Sequence, residues 1–322
     1  MSSSSHERLS LEVTDVQAEA RDVVLIELRA TDRSPLPPFE PGAHLEVSLP
    51  NGLVRHYSLT NDWRERDRYV VGVGRAPNSR GGSSYLHQAV RCAMTLSVGA
   101  PRNNFALDQT AGRYLFVAGG IGITPIMAMI HWCKAQGRHW RLVYAARNGQ
   151  RAAFYETLQA YGERVRFHFD DLHGGVLDVR EVLAAVGEDE HVYCCGPQPL
   201  IGAVQIHSAH LASSRVHFEY FSAPVESARA AAPAGGFELQ LRKSGLSLSV
   251  PRDKSILEVL EESGLTVPFA CRAGVCRSCE CTVCDGEIEH LDYVLSDEER
   301  DEGRSMMVCV SRAKSAMLVL DL

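Results

Sequence analysis

Four cysteines constrain this chain more than any other feature. Cys271, Cys276 and Cys279 stand in CRAGVCRSC with the spacing Cys-x4-Cys-x2-Cys, and Cys309 follows in the distant segment MMVCVS. This is the spacing of a plant-type [2Fe–2S] site, in which one tight loop supplies three thiolates and a remote segment the fourth, two per iron. Ala270, Ala273, Gly274 and Ser278 fill the loop. Such small residues let backbone N–H groups approach the sulfurs and tune the potential. The last quarter of the chain is therefore expected to fold around a one-electron centre.

Two other uses of cysteine compete with this one. Zinc also takes four cysteines, and Cys281-x2-Cys284 is half of a zinc knuckle. No second pair follows it. A disulfide framework suits short secreted chains, whereas this one has 322 residues and opens MSSSSHERLS, without an apolar signal region. Cys92, Cys133, Cys194 and Cys195 are scattered through other segments. The cytoplasm is the expected compartment.

Charge excludes one class of partner. The net formal charge is −7, which argues against nucleic acid. From Phe237 onward there are 16 acidic and 10 basic residues. The acidity thus belongs to the cysteine-bearing segment, with a run at Asp297, Glu298, Glu299, Asp301 and Glu302. Such a run is either a solvated helix face or a steering surface for a redox partner. No apolar stretch reaches the 18 or more residues that span a bilayer. The best candidate, Ile121 to Trp132, is short and contains Pro125.

The pattern along the chain divides it into parts. Residues 1–108 alternate short apolar runs (DVVLIELRA, HLEVSLP, RHYSLT, RYVVGVGR) with turn residues, which predicts an antiparallel β-barrel. Residues 109–225 begin with the continuous apolar run YLFVA, then glycines, then a helical segment and further strands. That alternation predicts a doubly wound α/β domain. Residues 226–236 are Ala-, Pro- and Gly-rich and read as a linker. From Phe237 to the end, a hairpin (FELQLR, LSLSV) and the helix SILEVLEESG precede the cysteine loop. Ser255 and Glu258 form a capping box for that helix.

Four further segments carry chemistry. VAGGIGITP joins a strand to a helix through Gly120 and Gly122, with Thr124 and Pro125 in the first helical turn. Such a turn lets a diphosphate approach the backbone. YCCGPQPLI places Cys195 at a strand tip before Gly196 and Pro197, where a small thiol can line a nicotinamide pocket. No histidine pairs with Cys195 by motif, so it is not read as a nucleophile. RHYSLTN and NSRGGSSYLH offer Arg55, Tyr57 and Ser58, then Arg80, Gly81, Gly82 and Ser83. Arginines with glycine and serine N–H and O–H groups make a phosphate cradle.

The order RxYS, GGS, GGIGITP, CGP and FEYF, ending in the cysteine domain, resembles the phthalate dioxygenase reductase and vanillate O-demethylase reductase family, within the ferredoxin-NADP reductase superfamily. The resemblance runs over nearly the whole chain. It implies a multidomain fold: an antiparallel β-barrel flavin domain, a doubly wound α/β NAD domain, and a C-terminal α+β (β-grasp) plant-type ferredoxin domain. It implies FMN, a [2Fe–2S] cluster and NADH as substrate, with electrons leaving for a terminal Rieske oxygenase. A reductase serving another monooxygenase or a haem partner shares every motif.

Carried over by motif, Arg55, Tyr57 and Ser58 bind the flavin, with Ser58 at its N5 region. Gly81, Gly82 and Ser83 hold the phosphate, which Arg80 or Arg55 neutralises. Gly120, Gly122 and Thr124 line the diphosphate site. Cys195, Gly196 and Pro197 lie near the nicotinamide, and Phe221 near the flavin. Ser58 and Cys195 are thus the side chains expected at the reaction centre. Arg147 is a candidate partner for a 2′-phosphate. A complete electron chain in one polypeptide predicts a monomer.

Overall fold

The computed structural model describes residues 8–76, 79, 81–222 and 235–322. Arg80 and residues 226–234 of the expected linker lie outside the described residues. The backbone divides into two compact units, residues 1–219 and 220–322. No helix among the described residues is long and apolar enough to cross a membrane.

The first unit holds two sheets. β1 (Arg8–Ala20), β2 (Val23–Ala30), β3 (His44–Ser48), β4 (Val54–Ser58), β5 (Tyr69–Gly74) and β6 (Thr95–Gly99) form an antiparallel sheet ordered β4-β3-β6-β1-β2-β5. A bridge from Leu59 to Val71 brings the two edges together, and pairing leaves no open edge there. Period-2 patterning selects the interior: Leu96 and Val98 of β6 are buried, while Thr95 and Ser97 face out. Helix α1 (Gly82–Gln88) follows β5.

The second sheet is parallel, ordered β11-β10-β7-β8-β9, from β7 (Arg113–Gly119), β8 (His139–Ala146), β9 (Val165–Phe169), β10 (Glu190–Cys195) and β11 (Val216–Glu219). β7 is central and buried from Tyr114 onward, as helix-covered parallel strands are. Helix α2 (Ile123–Ala135) follows β7. The shorter helices α3 (Tyr155–Gln159), α4 (Asp170–His173) and α5 (Arg180–Ala184) precede β10, and α6 (Gln198–His207) follows it.

The two sheets share a core. Val23, the first residue of the barrel strand β2, belongs to the apolar cluster of the α/β sheet, and Ala128 of α2 belongs to the barrel cluster. A Cβ at Gly42 would lie 2.0 Å from the Phe105 carbonyl oxygen and 3.0 Å from Met129 Cε. Two segments with different sequence periods thus pack as one body.

The second unit is a mixed sheet ordered β13-β12-β18-β14-β16, from β12 (Phe237–Leu241), β13 (Ser247–Val250), β14 (Glu280–Asp285), β16 (Ser305–Met307) and β18 (Met317–Leu320). The pair β15 (Ile288–Glu289) and β17 (Arg312–Ala313) lies outside it. Helix α7 (Ile256–Glu262) buries Ile256, Leu257, Val259 and Leu260, and its Ser255–Glu258 capping box forms in both directions. A second capping box, Ser296–Glu299, starts helix α8 (Asp297–Glu302).

Phe116 is fully buried at the centre of the parallel sheet. Truncation there removes its packing and leaves a cavity. Phe116→Ala is expected to destabilise the protein by about 3–5 kcal/mol, read as a lowered urea midpoint. An unchanged midpoint would contradict the central placement.

Candidate functional site

Three groups of residues are brought together, two in the first unit and one in the second. The first lies where the parallel sheet reverses its strand order, between β7 and β10. Ligands of open α/β sheets bind outside the carboxyl ends of the strands at such a point. The turn after β7 and the turn after β10 touch there, backbone to backbone. A Cβ at Gly122 would lie 2.2 Å from the Cys195 carbonyl oxygen, and one at Gly119 would lie 2.5 Å from Pro197 Cδ. Gly196 is equally confined, at 2.9 Å from the Gly119 nitrogen. Gly120 has φ of 52°, a left-handed turn that glycine adopts without steric cost. Its carbonyl accepts a hydrogen bond from the Tyr144 hydroxyl at 3.0 Å. Thr124 Oγ1 donates to the Ile121 carbonyl at 2.9 Å.

The charges at this crevice are suppressed by burial. Cys195 is fully buried, and burial, with Glu219 and Cys194 adding to it, holds its thiol well above the ordinary range. It is therefore a neutral wall rather than a thiolate. Glu219 ends β11 and pairs with Cys195 in the ladder. The residue as a whole is half-buried, but its Oε2 is covered and has no hydrogen-bond partner among the described residues. Burial pushes the Glu219 carboxyl up to about 8, so near neutral pH it is largely a protonated acid with an O–H to donate.

The second group is formed by β4 and the start of α1. The Arg55 side chain lies over Gly82, where a Cβ would meet its Cγ and Nε at 2.7 Å. Burial raises the Tyr57 hydroxyl to about 12. The Ser58 hydroxyl is buried without a hydrogen-bond partner among the described residues. An orphaned buried hydroxyl calls for a partner, and a flavin edge supplies donors and acceptors. Donors converge on Ser79 Oγ: the N–H groups of Gly81 at 3.2 Å and Ser84 at 3.4 Å, and the Ser83 hydroxyl at 3.1 Å. A turn that gathers donors on one oxygen is a concavity of the kind that takes phosphate. These residues fit a flavin mononucleotide.

The third group is the cysteine loop of the second unit. Cys276, Cys279 and Cys309 are buried, and Cys271 is partly exposed. The thiols hydrogen-bond one another, Cys271 with Cys276 and Cys309, and Cys309 with Cys279. Cys309 is lowered by Cys271 but raised more by Cys279 and by burial, and ends at about 12. Among the described residues no three ligating side chains are gathered round a single ion position; a bridged two-iron centre needs two thiolates at each iron instead. Arg272, Gly274 and Arg277 have φ of 53°, 68° and 58°. These turns bend the loop around the sulfurs, and the Ala273 N–H donates to Cys271 Sγ at 3.3 Å. The donor set fits a [2Fe–2S] cluster. Cys281 is buried and Cys284 exposed on β14. Residues three apart on a strand point to opposite faces, so these two do not form a zinc knuckle.

Phe221 belongs to the second unit and is 45% exposed. Several residues that the motif reading gave no role enter these sites: Ser79 of NSRGGSSYLH, Glu219 of FEYF, and Gly72 and Gly74 of RYVVGVGR. The two glycines of YVVGVG let the nucleotide turn approach β5, since a Cβ at Gly72 would lie 2.7 Å from Thr124 Cγ2 and one at Gly74 3.1 Å from Ile121 Cβ. A glycine inside a strand pattern is the signal of such an approach. Glu219 carries no such signal, because only the fold buries it.

Comparison with known proteins agrees with this layout. An oxidoreductase NAD-binding domain model matches residues 116–205, and a 2Fe-2S iron-sulfur cluster binding domain model matches residues 239–314. The chain is 44% identical over 314 residues to phenoxybenzoate dioxygenase subunit beta of Ectopseudomonas oleovorans, covering 98% of this chain and 97% of that one. The solved structure of phthalate dioxygenase reductase is 42% identical, with a TM-score of 0.72 and 98% of each chain covered. An intact type IV self-sufficient cytochrome P450 monooxygenase is 37% identical, with a TM-score of 0.90 over 98% of this chain and 41% of that chain.

The raised pKa of Glu219 makes a pH-dependent prediction. The folded chain holds a proton that the unfolded chain, with an ordinary carboxyl near 4.5, releases. The stabilisation is complete below about 4.5 and is lost as pH rises through about 8. Glu219→Gln keeps the shape and cannot titrate. The wild-type melting temperature is expected to fall across that interval relative to Glu219→Gln in calorimetry. Parallel curves would contradict a buried neutral acid.

Proposed function

The chain belongs to the phthalate dioxygenase reductase family, and from that premise we propose how its residues divide the work. It is an NAD(P)H-dependent oxidoreductase that moves electrons from NADH through FMN to a [2Fe–2S] cluster and on to an oxygenase. The groups supply, when bound, hydride chemistry at nicotinamide and flavin and one-electron chemistry at iron, with the flavin converting between them.

The observation that carries the residue assignment is the contact of the Gly119–Gly122 turn with Cys195–Pro197 at the strand switch point. Bare backbone there admits a diphosphate, with Gly120, Gly122 and Thr124 beside it. Cys195, Gly196 and Pro197 wall the nicotinamide end, where a neutral thiol adds bulk without charge. Glu219 offers its O–H to the carboxamide. Ser58 offers its hydroxyl to the N5 edge of the flavin, Tyr57 packs on the ring, and Phe221 also serves the flavin. Arg55 balances the phosphate held by Gly81, Gly82 and Ser83, with Arg80 as a second cation. Arg147 would meet a 2′-phosphate only with NADPH, the alternative donor to NADH. Cys271, Cys276, Cys279 and Cys309 ligate the cluster.

The division of the chain into a flavin part (1–108), a nucleotide part (109–225), a linker (226–236) and a cluster part (237–322) belongs to the same reading. The terminal partner is a Rieske oxygenase, and the chain works as a monomer because it contains every site the route needs. Ten free cysteines support a reducing compartment, the cytoplasm. A haem monooxygenase partner is the second reading, favoured by the likeness to the P450 chain. Turnover with each purified partner separates the two.

Three experiments test the route. An anaerobic visible spectrum should show flavin and cluster bands that bleach with one equivalent of NADH. Cys276→Ser should lose the cluster absorbance and retain reduction of flavin by NADH; normal cluster absorbance in that variant would defeat the ligand assignment. Reversing an exposed charge of the acidic helix, Glu298→Lys, should slow partner reduction several-fold at low salt and little at high salt. A salt-independent rate would make that run a solvated face only.

A further inference from the structure

Helix α8 does more than display charge. Arg277 stands between the second and third cysteines of the loop and has left-handed backbone, φ 58°, a conformation that a non-glycine residue keeps only when its surroundings fix it. Its side chain is 24% exposed. Nη1 donates to Glu299 Oε1 at 2.9 Å, and Nη2 donates to Glu299 Oε2. Nη2 and Nε also donate to the Val294 carbonyl, at 2.8 and 3.2 Å. Glu280 is the next nearest acid, at 3.8 Å.

The anchors are themselves fixed. Glu299 is the third residue of α8, and its Oε2 also accepts the Ser296 N–H at 2.8 Å. Asp292 is buried, and its Oδ2 accepts the N–H groups of Leu295 at 2.9 Å and Val294 at 3.2 Å. Arg300 of α8 donates to the Asp292 carbonyl at 2.7 Å. The adjoining Tyr293 N–H donates to the Gly274 carbonyl, inside the cysteine loop, at 2.9 Å. A Cβ at Gly274 would sit 3.0 Å from Asp292 Cα, so segment and loop are in contact.

We propose that the Arg277–Glu299 ion pair is a positioning device for the iron ligands, locking the left-handed turn between Cys276 and Cys279 and fixing the charge beside the cluster. This rests on the cluster reading above. A bidentate pair holds the guanidinium in one plane, as a lysine in its place does not. The pair also balances charge next to a centre whose potential depends on net charge and hydrogen bonding. One acid of the acidic run is thus held by Arg277, and Glu302 lies 3.8 Å from Arg304, so the run is not uniformly available to steer a partner.

The test is a redox titration of the full-length holoprotein, followed by electron paramagnetic resonance of the reduced cluster. Glu299→Gln leaves the arginine charge less balanced and should favour the reduced cluster. Arg277→Gly relieves the turn but leaves the carboxylate unbalanced and should favour the oxidised one. Each shift is expected to change the reduced-to-oxidised ratio at a fixed poise by about tenfold, equivalent to about 59 mV for one electron. The double variant should return close to wild type.

Unshifted potentials in both single variants, beside a normal wild-type spectrum, would overturn the proposal alone. A wild-type protein with no cluster signal after reconstitution would instead sink the cluster reading. Where a variant fails to keep its cluster, thermal unfolding of the cluster-free protein decides. Unfolding equal to wild type supports positioning, and equal destabilisation by both singles and the double makes the pair merely structural and overturns it.

Discussion

The close approach of two backbone turns, at the carboxyl ends of β7 and β10, is the contact on which the first unit depends. It needs glycine on both sides, because at Gly119, Gly122 and Gly196 a single added carbon would collide with the opposing turn. Parallel pairing of β7 with β10 sets the register that brings Ala118 opposite Cys195. The same turn meets the barrel across Gly72 and Gly74 of β5. One short run of backbone therefore joins three surfaces. This is why the barrel and the α/β sheet share core residues and form one compact body.

A second constraint is the absence of charge at the crevice. Burial holds the Cys195 thiol well above its ordinary range and pushes the Glu219 carboxyl up to about 8. A thiol held protonated provides no nucleophile. Ser58, buried without a partner among the described residues, adds a polar group that a bound ring can satisfy. Arg55 keeps its charge away from this wall, over Gly82 and the serine-rich turn.

The second unit solves a different problem. Three buried thiols and one partly exposed thiol must be presented from a loop with little regular structure. The loop turns at two arginines with positive φ. Both are tied to acids on helices, Arg272 to Glu261 and Arg277 to Glu299. Capping boxes fix the starts of those helices. Local helix chemistry thus reaches the iron site through two ion pairs.

The sequence alone carried the element types, the cysteine spacing and the order of motifs, because each is a short-range pattern. Spacing places three thiols on one loop, period-2 and continuous apolar runs separate an antiparallel from a parallel sheet, and Ser-x-x-Glu starts a helix. It did not determine which turns meet. Gly72 and Gly74 read as ordinary strand residues until Ile121 and Thr124 lie against them. Glu219 is only a letter of FEYF, with no role, until the end of β11 is covered. Glu299 reads as one charge in an acidic run until Arg277 reaches it. Each of these roles comes from residues far apart in the chain, where burial and distance set the chemistry, and only the tertiary structure decides burial and distance.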